Sequence, residues 1–349
     1  MPHRVVPRVA LAVAVVIAVV AAGLVAWRAL TPATPLARAM ELVPADATRL
    51  SWTDGEGVRR ELGADVDADS SAGQVDAFLA DAFAADLSSM SALGTSAGVM
   101  QEQLGFSPAT VSWELLAQSG SGAVEVLGVD DTVDLDAVAD RLADRGWTEP
   151  EEADGVWVGG PDVLAGTGSM LTPELQHVAL LADEGLVLTS DQAPYLEAVL
   201  EDDDGPEDLA ELAGALEEPL TAAVYDGAYA CEHLAMSQAD DDAQAEADQL
   251  VAAAGEVHPL TGFAMGVLPG GDVRAVMQVE DPDDAPGDAE ARARLAAGPA
   301  PGQGGEFTDR FSVERAGSEG REVVLDLRPA EGTYVLSDLT SGPVLFATC

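Results

Sequence analysis

The sequence has no lysine and no asparagine, and Ile17 is its one isoleucine. These residues share A- and T-rich codons, so their scarcity points to a GC-rich gene. Every one of the 16 basic residues is therefore an arginine, set against 62 acidic residues for a formal charge of −46. That imbalance excludes nucleic acid and a position flat on anionic lipid. Histidine is scarce too: past the N-terminal region only His177, His233 and His258 are available for acid–base or metal chemistry. A hydrophobic content of 48% nevertheless marks a folded chain, long enough for one large or two ordinary domains.

Charge is also missing from Val9 to Trp27, which spans about 28 Å as a helix, one bilayer core. Val9, Leu11, Val15, Ile17, Leu24 and Trp27 read as the membrane-facing residues of a transmembrane helix. Arg4 and Arg8 precede the run and an acidic chain follows it, so residues 1–8 are expected in the cytoplasm and the bulk outside. Ala37-Arg38-Ala39 has the form of a signal peptidase site, which makes secretion after cleavage the alternative. It lies well beyond the apolar run, however, and an uncleaved anchor is the expectation. Ala10, Ala14, Ala18, Ala22 and Ala26 form a small-residue stripe through which two helices can approach as a homodimer.

An oxidising exterior gives the two cysteines a simple reading: Cys231 and Cys349 form one disulfide. It closes a loop of roughly 120 residues, which in the chain-entropy model is worth up to about 4–5 kcal/mol.

Residues 28–40 read as a short linker. Helical spacing of Val75, Phe78, Leu79, Phe83, Leu87 and Met90 predicts a helix from Gln74, with Phe78 and Phe83 in the core. Strands at Thr110 to Ala117 and Ala123 to Val129, a helix at Leu135 to Arg145, and strands at His177 to Leu181 and Leu186 to Thr189 then follow. The same order recurs as Gly262 to Leu268, Val273 to Val279, a helix at Asp288 to Ala297, Phe311 to Glu314 and Glu322 to Leu327. The phrase Leu186 to Asp191 also looks like Tyr334 to Asp338. This pattern predicts an α+β fold: an internally duplicated ββα-plus-strands unit, two antiparallel sheets and helices on one face. The halves are residues 41–205 and 206–349, free to merge into one globule. Ala235 to Ala254 is expected as one long acidic helix.

Three motifs carry candidate chemistry. Asp65, Asp67, Asp69 and Asp76 hold positions 1, 3, 5 and 12 of an EF-hand-like loop, although Ser70 replaces the turn glycine. Gly94-Thr95-Ser96-Ala97-Gly98 matches G-x-S-x-G but lacks the preceding strand that exposes a nucleophile, so a helix-to-helix turn is the simpler reading. Cys231, His233 and His258 lack a fourth zinc ligand at a recognisable spacing. No catalytic residue, metal or cofactor is therefore assigned. Trp52, Trp113, Trp147 and Trp157 read as core or sheet-face residues.

Leu42 to Leu50, Gly105-Phe106-Ser107-Pro108, Ala300 to Gly305 and Gly342 to Cys349 resemble a family of actinobacterial single-pass membrane-anchored envelope proteins of unknown function. The resemblance implies location and brings no activity. The expectation is a non-enzymatic extracytoplasmic protein that binds a protein partner or a small apolar ligand. An envelope serine hydrolase using Ser96 and a calcium-dependent surface module using Asp65, Asp67 and Asp69 are the alternatives.

Overall fold

Short Val-, Leu- and Ala-rich runs bounded by Gly, Pro or Asp favour strands, and longer runs opened by an Asp or Ser cap favour helices. The computed structural model describes residues 34–201 and 204–349. The anchor, its alanine stripe, the tail of residues 1–8 and most of the linker lie outside the described residues. No helix among the described residues is long and apolar enough to cross a membrane.

The chain starts with α1 (Pro35–Met40), β1 (Arg49–Thr53), α2 (Gly55–Leu62), α3 (Ala72–Ala84) and α4 (Ala97–Gln103). Next come β2 (Trp113–Gln118), β3 (Ala123–Gly128), α5 (Leu135–Arg145), β4 (Val156–Val158) and α6 (Pro161–Thr167). The first half closes with β5 (His177–Leu181), β6 (Leu186–Ser190) and α7 (Ala193–Leu200). The second half contains α8 (Glu207–Gly214), β7 (Thr221–Asp226), α9 (Asp241–Ala254), β8 (Leu260–Val267), β9 (Val273–Val279) and α10 (Ala285–Ala296). It ends with β10 (Phe311–Glu319), β11 (Glu322–Pro329) and α11 (Val335–Leu339).

All strands join one antiparallel sheet in the order β10-β11-β9-β8-β7-β1-β2-β3-β6-β5-β4. Outward from the central β1–β7 pair, β2-β3-β6-β5 on one side matches β8-β9-β11-β10 on the other. The register makes this a local two-fold: Ser51 pairs with Ala223, flanked by Arg49 with Tyr225 and Thr53 with Thr221. The repeated order read from the sequence is thus a repeated topology, with β4 an extra edge strand. The two expected sheets are one, because β1 and β7 pair with each other and remove two exposed edges.

Helices cover both faces of the sheet, not one. Strands such as β9 are buried along their whole length and need cover on each side. On the back face, Leu36 and Met40 of α1, Leu196 of α7 and Leu212 of α8 pack against Leu50 and Trp52. On the front face, α3, α4, α5 and α6 cover the first half, whereas α9, α10 and α11 cover the second. α3 packs on α4 and α2 with Phe78 and Ala82 over Thr53 and Glu114, and its C-terminal end reaches the second half where Phe83 stacks on Tyr334.

Other expectations shift. Pro35–Met40 is a helix with Leu36, Ala39 and Met40 buried, so the folded body begins inside the expected linker. α3 stops at Ala84, and Asp86 turns the chain at φ 60°, so Phe83 is 54% exposed and stacks on Tyr334 instead of entering the core. The long acidic helix starts at Asp241, since Asp240 caps it through the Ala243 N–H and the preceding residues form separate turns. Leu186–Ser190 is a strand and Val335–Leu339 a helix, so those two phrases are not structural counterparts.

Cys231 and Cys349 are bridged, 118 residues apart, with Cα atoms 5.7 Å from each other. Arg292 reinforces this end: fully buried, it donates to the carbonyls of Phe346 and Thr348 and pairs with buried Asp288 at 2.9 Å. His258 Nδ1 lies 2.8 Å from the other Asp288 oxygen. Breaking the bridge with Cys349→Ser should lower unfolding free energy by up to about 4–5 kcal/mol. A denaturant midpoint equal to wild type would show that the loop constraint adds nothing. The Asp288 hydrogen bond raises the His258 pKa above its ordinary 6.5, with burial opposing. A proton held more tightly in the folded state stabilises it below pH 6.5, and that contribution is lost as pH rises through the folded value. His258→Gln should flatten this part of the stability–pH curve, measured by thermal unfolding; an unchanged slope would refute the pairing.

Candidate functional site

Ser96 is fully buried, and its hydroxyl is engaged on both sides. It donates to the Met170 carbonyl at 2.9 Å and accepts from the Thr172 N–H at 3.0 Å. Both partners are backbone groups, and the residue staples the start of α4 to the 170–172 loop. The serine-hydrolase geometry is not formed: Ser96 ends a 3-10 turn that runs directly into α4, without a preceding strand.

The acidic loop does not wrap an ion either. Asp67 Oδ1 accepts from the Asp69 N–H and the Ser70 hydroxyl, both at 3.1 Å, closing a turn that leads into α3. Asp76 instead faces Gly98 of α4: a Cβ on that glycine would sit 2.6 Å from its Oδ1. Among the described residues no group of three or more His, Cys, Asp or Glu is placed to hold a metal. Cys231 is spent in the disulfide, His233 packs on Tyr229, and His258 serves Asp288.

Two buried acids that pattern reading passed over lie inside the sheet. Glu114 on β2 and Glu125 on β3 point to the front face as diagonal neighbours, since Glu114 pairs with Leu127 and Leu116 with Glu125. They are 2% and 0% exposed. Glu114 accepts from the Ser91 hydroxyl at 2.7 Å and from the Ala92 N–H at 2.8 Å, with the Leu93 N–H further off at 3.3 Å. Glu125 has no hydrogen-bond partner among the described residues, and a carboxyl buried without a donor keeps its proton. Glu114, facing three donors, is the better placed of the two to carry a negative charge. Burial pushes the Glu125 carboxyl well above the usual range, and the negative charges of Glu114 and Glu174 push the same way. Burial also raises Glu114, against the pull of its donors.

Threonines flank the pair. Thr53 pairs with Glu114 across β1–β2, and Thr189 with Glu125 across β3–β6. Both hydroxyls are buried without a partner among the described residues. The local two-fold gives each position a counterpart: Tyr225 for Thr53, Phe263 for Glu114, Ala275 for Glu125 and Leu325 for Thr189. The second half fills this row without a charge, so the fold itself does not require the acids. A lone Glu inside each of two apolar strand runs, Trp113 to Ala117 and Val124 to Leu127, was the available sequence signal.

Over Glu114 lies a narrow cleft walled by Thr53, Val58, Phe78, Leu79, Ala82, Leu87 and Ser91. Only about 10 Å³ of it admits a water-sized sphere, room for about one water. Larger clefts lie elsewhere and have mixed walls. One of about 430 Å³ runs beside α1 between Arg38, Trp113 and Glu184, and one of about 350 Å³ beside Arg274, Arg315 and Glu322.

No protein-family model matches the chain, and neither does any curated protein. Among solved structures, crystal form III of TP0453 aligns with 89% of this chain and 98% of its own, at 8% identity and a TM-score of 0.41. At that score the likeness carries no argument about function.

Glu125 has its folded pKa raised, so folding loses stability as pH climbs from the ordinary 4.5 toward the folded value. Glu125→Gln keeps the side chain's size and removes the titration. It should therefore raise unfolding free energy at pH 7 by about 1–4 kcal/mol, and by less at pH 4. Equal effects at the two pH values in denaturant titrations would contradict a Glu125 that is protonated in the folded chain.

Proposed function

We propose that the chain is a non-enzymatic protein of the cell envelope, anchored with its N-terminus inside by Val9 to Trp27 and working outside the membrane through its acidic α+β body. The observation that carries this reading is the Cys231–Cys349 disulfide, which suits an oxidising exterior. The candidate cleavage site supports retention of the anchor: Ala37-Arg38-Ala39 lies in α1, whose Leu36 and Ala39 are buried against the back face, so cleavage there would take a core helix from the fold. The repeated topology about β1 and β7 agrees with an ancient duplication of a ββα-plus-strands unit.

Binding a partner is favoured over carrying an apolar ligand because the larger clefts have charged walls, the apolar one beneath α3 holds about one water, and the apolar one of about 190 Å³ beside Leu250, Leu295 and Leu345 is smaller than pockets that enclose a ligand. Inside the membrane, the stripe from Ala10 to Ala26 supplies a surface for self-association. Protease added to spheroplasts should digest the chain while an epitope at Met1 stays protected, and mass spectrometry of the membrane-extracted chain should show residues 1–39 retained. Recovery of a soluble chain starting at Met40 would sink the anchored reading.

A further inference from the structure

We propose that Glu125, buried without a partner beside Glu114, is a latch: while it is uncharged, Glu114 holds the segment from Ser88 to Leu93, and α3 with it, over the front-face cleft, and its ionisation releases them.

The contacts run in a single chain. Glu114 fastens the segment by side-chain and backbone donors at three successive residues, Ser91, Ala92 and Leu93. Just before it, the Ser88 hydroxyl donates to the Leu79 carbonyl of α3 at 3.3 Å. Between them Asp86, at φ 60° and buried, clasps the Leu336 N–H at 2.7 Å and the Ser337 hydroxyl at 2.8 Å. Phe78, Leu79, Ala82 and Leu87 roof the cleft, and Glu114 and Thr53 lie at its floor.

The charge surroundings make the latch depend on the proton. The charges that bear on Glu125 are Glu114 and Glu174, both negative. Arg59 of α2, beside the cleft wall at Val58, commits its guanidinium to the carbonyls of Ala109 and Val111. Asp86 is taken up by α11, and Asp76 of α3 faces Gly98. Ionising Glu125 therefore sets a second carboxylate beside Glu114, and among the described residues no arginine pairs with either; Arg49 on the same face of β1 lies over the Tyr229 ring. Two buried like charges in contact are relieved by admitting water. The strands are held by ladders on both sides, so the element that gives way is the loop-borne segment. Phe263 and Ala275 at the counterpart positions show that an uncharged solution exists in the same fold, so the acids bring a proton dependence that the other half lacks.

The test is hydrogen exchange on the intact disulfide-bonded chain from pH 6 to 10, expressed as protection factors corrected for intrinsic exchange. Protection of Ser88 to Leu93 and of the C-terminal turn of α3 should fall at least tenfold as pH rises, while α5 and α10 hold theirs. Binding of a hydrophobic fluorescent dye should rise over the same range. Glu125→Gln, which stays uncharged at every pH, should abolish both changes, and Glu125→Leu should also leave protection independent of pH. Constant protection in the wild-type chain, loss that spreads equally to α5 and α10, or loss that persists in both variants would each overturn the latch.

Discussion

The antiparallel pairing of β1 with β7 is the contact on which the rest of the molecule depends. Each strand opens a repeated unit and would be an exposed edge if its unit stood alone. Joined at Ser51 and Ala223, they turn two modest sheets into one with its middle buried on both sides. The helices follow from that burial. Leu50, Trp52, Ala222 and Val224 need cover on the back, which α1, α7 and α8 supply. On the front, Phe83 stacks on Tyr334 and Asp86 accepts from the Leu336 N–H, so the halves are tied by these contacts at the end of α3 as well as by a strand pair.

A large two-sided core makes uncompensated polar groups expensive, and the chain treats two buried charge clusters in opposite ways. Around Arg292, every charge is answered: Asp288 accepts from its Nε, and the carbonyls of His258, Phe346 and Thr348 accept from its remaining groups. That cluster acts as a fastener for the C-terminus beside the disulfide. Glu114 is well supplied with donors, but Glu125 has none among the described residues, and Thr53 and Thr189 add unsatisfied hydroxyls. A group whose charge is answered on all sides resists change, and one buried without a partner does not.

Much of the architecture was legible in the sequence because it rests on local signals. Leu135–Arg145 is found with the bounds its Asp134 cap and Gly146 stop imply, and Val273–Val279 with those of its apolar run. The disulfide followed from cysteine count and compartment. What stayed hidden depends on distant partners. Nothing near Ser51 announces Ala223, so one sheet was read as two. Phe83 keeps helical spacing with Phe78, yet the chain leaves the helix at Ala84 and the ring meets Tyr334 from the far end of the sequence. Ser96 and Asp67 satisfied motif spacings, but their oxygens are committed to closing turns and loops. Glu114 and Glu125 had the reverse history. Each reads as an ordinary interruption in an apolar strand, and only the diagonal register brings them together.

The local two-fold turns this juxtaposition into an argument about purpose. Within one chain, the same backbone positions carry Glu114 and Glu125 on one side and Phe263 and Ala275 on the other, under the same burial and the same strand order. The second half thus serves as an internal control for what the fold needs: apolar residues suffice. A buried acid pair costs stability relative to well-packed apolar residues of similar volume. It sits on the front face where the loop after α3, not a neighbouring strand, covers the sheet, so the cost falls beside the segment that Glu114 fastens.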